Sequence, residues 1–140
     1  MVKIYIVDAS VILTVLLGKG EKVVRRLSTL GGEVKKGKAR MIAPMLLAME
    51  VANGLRYNLA DEALRDESFE RFRDLPINYR EISTLEIRQI LRQSGSTGTS
   101  VYDSCYHFVA LSSSGLFLTC DQAYYQKAKG LGSIELIINS

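Results

Sequence analysis

Two apolar runs in this 140-residue chain each end in a carboxylate and lead directly into a segment of helical spacing. Lys3 to Val7 is a β-branched run closed by Asp8, with apolar residues at helical intervals from Ala9 to Leu17. Leu118-Thr119-Cys120-Asp121 repeats the arrangement, with a helix-like segment from Gln122 to Lys129 behind it. Each aspartate has an ordinary explanation as a helix N-cap, worth about 1 kcal/mol. Asp103, three residues after Ser100, has another, as an acid favoured in a first helical turn. Glu50 has no such explanation. It is the only charged residue between Met41 and Ala52, with no Lys or Arg within a turn on either side. On a helix it shares a stripe with Leu46, Leu47 and Gly54. A carboxylate in apolar surroundings is costly unless a cation or ion pair compensates it. Two partners stay open for it: an arginine from elsewhere in the fold, or a metal ion.

Four acids gathered at one crevice would repel one another, and a bound divalent cation relieves that repulsion. Carboxylate oxygens and water suit Mg2+ or Mn2+. The chemistry expected of Asp8, Glu50, Asp103 and Asp121 is therefore metal-assisted phosphodiester hydrolysis. Ser10 and Thr119 flank two of these acids and can hold carboxylates or metal waters by hydroxyl hydrogen bonds; both hydroxyls could equally be caps.

The elements that must position these residues alternate between strand and helix. Residues 3–7 read as a strand buried on both faces. A helix is expected from Glu21 to Lys36, interrupted or capped around Gly31-Gly32. Arg40 to Ala43 is a second strand, and Pro44 suits the first turn of a helix running to about Tyr57. Asp61 to Phe72 is an amphipathic helix, and Leu75 to Tyr79 a weak strand or extended link. Ser83 and Glu86 form a capping-box pattern that starts a helix through Gln93, and Ser94 to Ser100 reads as a loop. Tyr102 to Ser113 is a helix, Leu116 to Thr119 a strand, and Ile134 to Ile138 a last strand. Such alternation predicts a parallel sheet covered on both faces, with ligands outside the carboxyl ends of the strands. Asp8 and Asp121 would both lie there.

Length fits one domain. A hydrophobic content of 47% with 24% charged residues favours neither disorder nor a membrane class. The net charge of +3 permits a polyanionic partner. Cations cluster between Lys19 and Arg40, Arg25 and Arg26 among them, where nucleic acid contact competes with a plain solvated face. Cys105 and Cys120 lack a CxxC pairing, so zinc is not expected and two small buried thiols are. With no secretory pattern and no apolar stretch long enough for a bilayer, a cytoplasmic protein is expected.

Four pieces in order, Ile6-Val-Asp8-Ala-Ser10, Met49-Glu50-Val-Ala-Asn-Gly-Leu-Arg56, Tyr102-Asp103-Ser-Cys-Tyr106 and Leu118-Thr-Cys-Asp121, span nearly the whole chain. In this set the sequence resembles the PIN-domain ribonucleases, and most closely the VapC-like toxins of prokaryotic toxin-antitoxin pairs. The resemblance implies a single PIN-like nuclease domain over residues 1–140, built as a three-layer α/β/α sandwich around a short parallel sheet. It also implies Mg2+ or Mn2+ held by Asp8, Glu50, Asp103 and Asp121 with support from Ser10 and Thr119. Endonucleolytic cleavage of RNA follows, with a homodimeric assembly and an antitoxin whose tail lies across the groove. Arg56 matches a position where such proteins often carry a basic residue near the groove. His107 and Phe108 stand where the family's helix has small or aliphatic residues, and His107 is expected to be a hydrogen-bonded structural histidine. The rival expectation is a catalytically silent module that keeps the fold and binds RNA or protein.

Overall fold

The computed structural model describes residues 1–138. Five strands, β1 (Lys3–Val7), β2 (Ala39–Pro44), β3 (Ile77–Arg80), β4 (Leu116–Thr119) and β5 (Ile134–Leu136), form one sheet in the order β3-β2-β1-β4-β5. Every neighbouring pair is parallel. The helices fill the crossovers: α1 (Ala9–Leu16) and α2 (Glu21–Lys35), α3 (Leu46–Asn58) and α4 (Glu62–Arg73), α5 (Thr84–Thr97) and α6 (Val101–Ser113), then α7 (Gln122–Ala128), which ends in a 3-10 turn over Lys129–Leu131. The result is a three-layer α/β/α sandwich.

From β1 the chain builds outward to β2 and β3 on one side, then returns to build β4 and β5 on the other. The strand order therefore reverses between β1 and β4, and a crevice opens at their carboxyl ends. The core sits under this point. Tyr5, Ile6 and Val7 of β1 and Phe117 and Leu118 of β4 are buried on both faces by Val11 and Ile12 of α1, Leu30 of α2, Leu47 and Val51 of α3, and Val109 of α6.

Three expectations change. α2 runs without a break through Gly31-Gly32 to Lys35. Burial of Val23, Leu27 and Leu30 on its inner face outweighs the roughly 1 kcal/mol that each glycine costs a helix. Pro44 closes β2, beside Arg80 of β3, and the helix begins after it with Met45 as an N-cap that makes no side-chain bond. α5 continues to Thr97 through the expected loop. The Ser96 and Thr97 hydroxyls bond back to the Gln93 carbonyl, and Gly98, at φ 71°, stops the helix in the left-handed conformation. Among the described residues no helix is long and apolar enough to cross a membrane.

Candidate metal-binding active site

Register builds the site. Val7 lies beside Leu118, so the next residues along, Asp8 and Thr119, are cross-strand neighbours at the crevice. The Thr119 hydroxyl donates to Asp8 Oδ2 at 2.5 Å, while Asp8 Oδ1 accepts from the Ser10 hydroxyl at 2.5 Å and from the Val11 amide at 3.2 Å. Both hydroxyls also accept: Ser10 Oγ from the Cys120 amide, and Thr119 Oγ1 from the Asp121 amide, each at 3.0 Å. Ser10 and Thr119 thus stitch the end of β1 to the end of β4 through Asp8. Burial pushes the Asp8 carboxyl up to about 6 against the pull of these three hydrogen bonds, and the negative charge of Asp103 adds to the rise.

Asp121 is the N-cap of α7, its Oδ1 accepting from the Tyr124 amide at 2.9 Å. Asp103 sits in the first turn of α6, behind the Ser100 cap. Burial raises the Asp103 carboxyl, the Ser100 hydroxyl opposes this, and the charge of Asp121 adds to it. Asp103 is the electrostatic link between Asp8 and Asp121.

Among the described residues Glu50 pairs with neither an arginine nor any other cation. Its Oε1 accepts from the hydroxyl of Tyr106 at 2.5 Å, one turn along α6 from Asp103. Tyr106 is 1% exposed, and its ring stacks on Phe117 with centroids 6.0 Å apart. Burial and the Glu50 carboxylate push its phenol far up, so it stays a donor at any ordinary pH. Glu50 opens onto a groove of about 490 Å3 lined by Ala9, Leu13, Met49, Gly54 and Tyr102. Tyr106 is the site residue that the sequence reading passed over. The signal was there: a tyrosine hydroxyl that becomes buried needs a partner, and Glu50 was an acid lacking one.

α3 approaches α1 closely at Gly54. A Cβ there would lie 2.2 Å from Leu13 Cδ1 and 3.1 Å from Leu13 Cγ. Gly54→Val should push the two helices apart at a cost of about 1–3 kcal/mol. A thermal melt checks this, and an unchanged midpoint would mean that Leu13 simply rotates away.

His107 is fully buried. Its Nε2 lies 2.7 Å from the Gly132 carbonyl, which can only accept, so its Nδ1, 2.7 Å from the Tyr124 hydroxyl, is the acceptor of that pair. Burial lowers the histidine's pKa and keeps it neutral. The Tyr124 bond ties α6 to α7 and the Gly132 bond ties α6 to the turn after it, so His107 fixes the helix that carries Asp103 against the one that Asp121 caps. His107→Leu would strand both partners, and a loss of about 2–4 kcal/mol is expected in chemical denaturation. An unchanged midpoint would show that the tie contributes nothing. Burial also pushes the Cys105 thiol up to about 11, which makes it an inert core side chain.

The basic residues distribute differently. Arg26 is half-buried, pairs with Glu135 of β5 at 3.1 Å and lies over the Tyr5 ring. Arg25 is exposed. Arg56 is exposed in the last turn of α3, over the Tyr57 ring, about 9 Å along the helix from Glu50. Lys35, Lys36, Lys38 and Arg40 flank the start of β2, at the opposite edge of the sheet from the acids. The cationic cluster is therefore split and does not form one face around the crevice.

The donor set is all hard oxygen, the set that Mg2+ and Mn2+ accept. Two of its carboxyls, Asp8 and Asp103, are raised by burial and by a neighbouring acid, and none of the ion pairs Lys3–Glu33, Arg26–Glu135, Arg73–Glu70 and Arg80–Glu86 involves the four acids. This uncompensated charge fits a divalent ion. In the arrangement observed, no three His, Cys, Asp or Glu side chains among the described residues are close enough to ligate one ion, and Glu50 is turned to Tyr106.

No protein-family model matches the chain, and no curated protein matches it in sequence. Solved structures do match. VapBC2 from Rickettsia felis, bound to a DNA fragment from its promoter, aligns at a TM-score of 0.71 with 10% identity over 95% of this chain and 98% of that one. DNA-bound VapBC from Salmonella typhimurium aligns at 0.66 with 20% identity, over 97% of each chain. PAE2754 from Pyrobaculum aerophilum aligns at 0.64 with 23% identity, over 93% of this chain and 90% of that one. The chain shares the fold of these structures, a three-layer α/β/α sandwich around a parallel sheet.

Proposed function

We propose that this protein is a metal-dependent endoribonuclease and the toxin of a toxin-antitoxin pair. One observation carries the reading: Asp8 ends β1, Asp121 follows β4 and Asp103 lies in the first turn of α6, with the charge of Asp103 raising Asp8, that of Asp121 raising Asp103, and no ion pair to any of the three among the described residues. Asp8, Glu50, Asp103 and Asp121 would hold Mg2+ or Mn2+, which when bound supplies charge stabilisation to the phosphodiester and acidity to its water. Ser10 and Thr119 keep the Asp8 oxygens aimed; Arg25 and Arg56 are the exposed cations for RNA phosphates. The fold neighbours that are VapBC complexes support an antitoxin partner. The apolar cleft beside Glu50, with Met49 and Tyr102 each more than half exposed, is where such a partner would lie, and a homodimer completes the proposal.

Closed-circular RNA tests the activity. An endonuclease linearises it in Mn2+, and EDTA stops the reaction; circles that survive while linear RNA is degraded would mean an exonuclease. A silent binding module of the same fold is the second reading, favoured by the absence of any three gathered ligands among the described residues. It predicts RNA or protein binding with no cleavage in any divalent metal.

A further inference from the structure

We propose that Tyr106 is the positioning residue for Glu50: its hydroxyl holds one carboxylate oxygen and so leaves the other to face the crevice. This rests on the reading of Glu50 as part of a metal-binding set. Three observations carry it. The hydroxyl stands 2.5 Å from Glu50 Oε1, across 56 residues of sequence. The ring that carries it is 1% exposed and lies within 14° of parallel to Phe117 of β4, so the core sets the hydroxyl's place. α6 presents Asp103 and Tyr106 three residues apart, on one side of the helix. A single rigid element thus carries one acid of the site and the group that aims another.

Glu50 has no other hydrogen bond or ion pair among those found in the described residues, and it opens onto the groove lined by Ala9, Leu13 and Met49. A glutamate side chain loses considerable rotamer freedom when fixed. Without the hydroxyl, Glu50 swings toward water, and that freedom must be lost again when an ion binds. Removing the hydrogen-bond partner of a metal ligand typically weakens metal affinity 10–100-fold. Phenylalanine keeps the ring and its stack, so Tyr106→Phe removes the aim and leaves the packing.

The test is Mn2+ titration by calorimetry on wild type, Tyr106→Phe, Glu50→Gln and the double variant, with thermal melts in EDTA to confirm folding. Tyr106→Phe should weaken Mn2+ binding about tenfold in the wild-type background and change it less than twofold in the Glu50→Gln background. Affinity that is unchanged or tighter in Tyr106→Phe, while Glu50→Gln is weakened, overturns this inference and leaves the metal site standing. An equal loss in both backgrounds also overturns it, because the effect then runs through packing. Wild type that binds no Mn2+ overturns the metal reading, and this inference with it.

Discussion

Asp121→Asn is expected to lower Mn2+-dependent RNA cleavage about a thousandfold, on the order of 4 kcal/mol of barrier, while its melting temperature stays within a few degrees of wild type. The separation of the two effects follows from what Asp121 does in the fold. Its Oδ1 caps α7 through the Tyr124 amide, and asparagine caps a helix about as well as aspartate. Its amide bond to Thr119 Oγ1 comes from the backbone and survives the substitution. What asparagine removes is the negative charge that raises Asp103 and that would help to hold a divalent cation. Single-turnover cleavage and a thermal melt on the same preparation check the pair of expectations. Cleavage at the wild-type rate would remove Asp121 from the site, and a collapsed melting curve would show that the charge supports the fold instead.

Asp8→Asn should behave in the opposite sense for stability, raising the melting temperature by about 6 °C at pH 7.5 in EDTA. The Asp8 carboxyl titrates at about 6 when folded and near 3.8 when unfolded, so between those values the folded protein holds more protons than the unfolded one. Stability therefore falls as pH rises through that window. Above about pH 6 the full cost of the buried charge is in place, about 3 kcal/mol. Asparagine removes that cost but leaves the Thr119 hydroxyl without its acceptor, a loss of about 1 kcal/mol. The net gain of about 2 kcal/mol corresponds to several degrees for a chain of this size. Below about pH 4, where wild type is protonated as well, the gain should vanish and reverse slightly. His107, whose lowered pKa costs stability as pH falls below its unfolded value near 6.5, acts in both proteins and cancels from the difference. Mn2+ should raise the wild-type midpoint and leave the variant's alone. Equal midpoints at pH 7.5 would mean that the three hydrogen bonds fully offset the buried charge.

The central strands were legible because they are buried on both faces: β1 and β4 read as continuous apolar runs, each leading to an acid. β3 and β5 lie at the sheet edges, where half-exposed residues such as Asn78 and Glu135 dilute the pattern. The unbroken middle of α2 and the far end of α5 were not legible for a related reason. Gly31-Gly32 and Ser94-Gly95-Ser96 are poor helix formers locally, and only the buried face of α2 and the hydroxyl-to-carbonyl bonds of α5 show why the helices continue. At the site, Glu50 was legible as an acid lacking a partner. The partner itself was not, because a tyrosine 56 residues away becomes its neighbour only through the packing of α6 on the sheet. The basic cluster misled in another way. Its members are close in sequence, but α2 carries them from beside β5 to the start of β2.

The central claim is a metal-dependent nuclease site at the β1–β4 switch point, and the most direct measurement is the RNA cleavage rate across a Mn2+ titration for wild type and Asp103→Asn prepared in parallel. The wild-type rate should saturate with Mn2+ and fall to background in EDTA, with Asp103→Asn at background throughout. Cleavage that persists in EDTA, or that is equal in the two proteins, would contradict that claim.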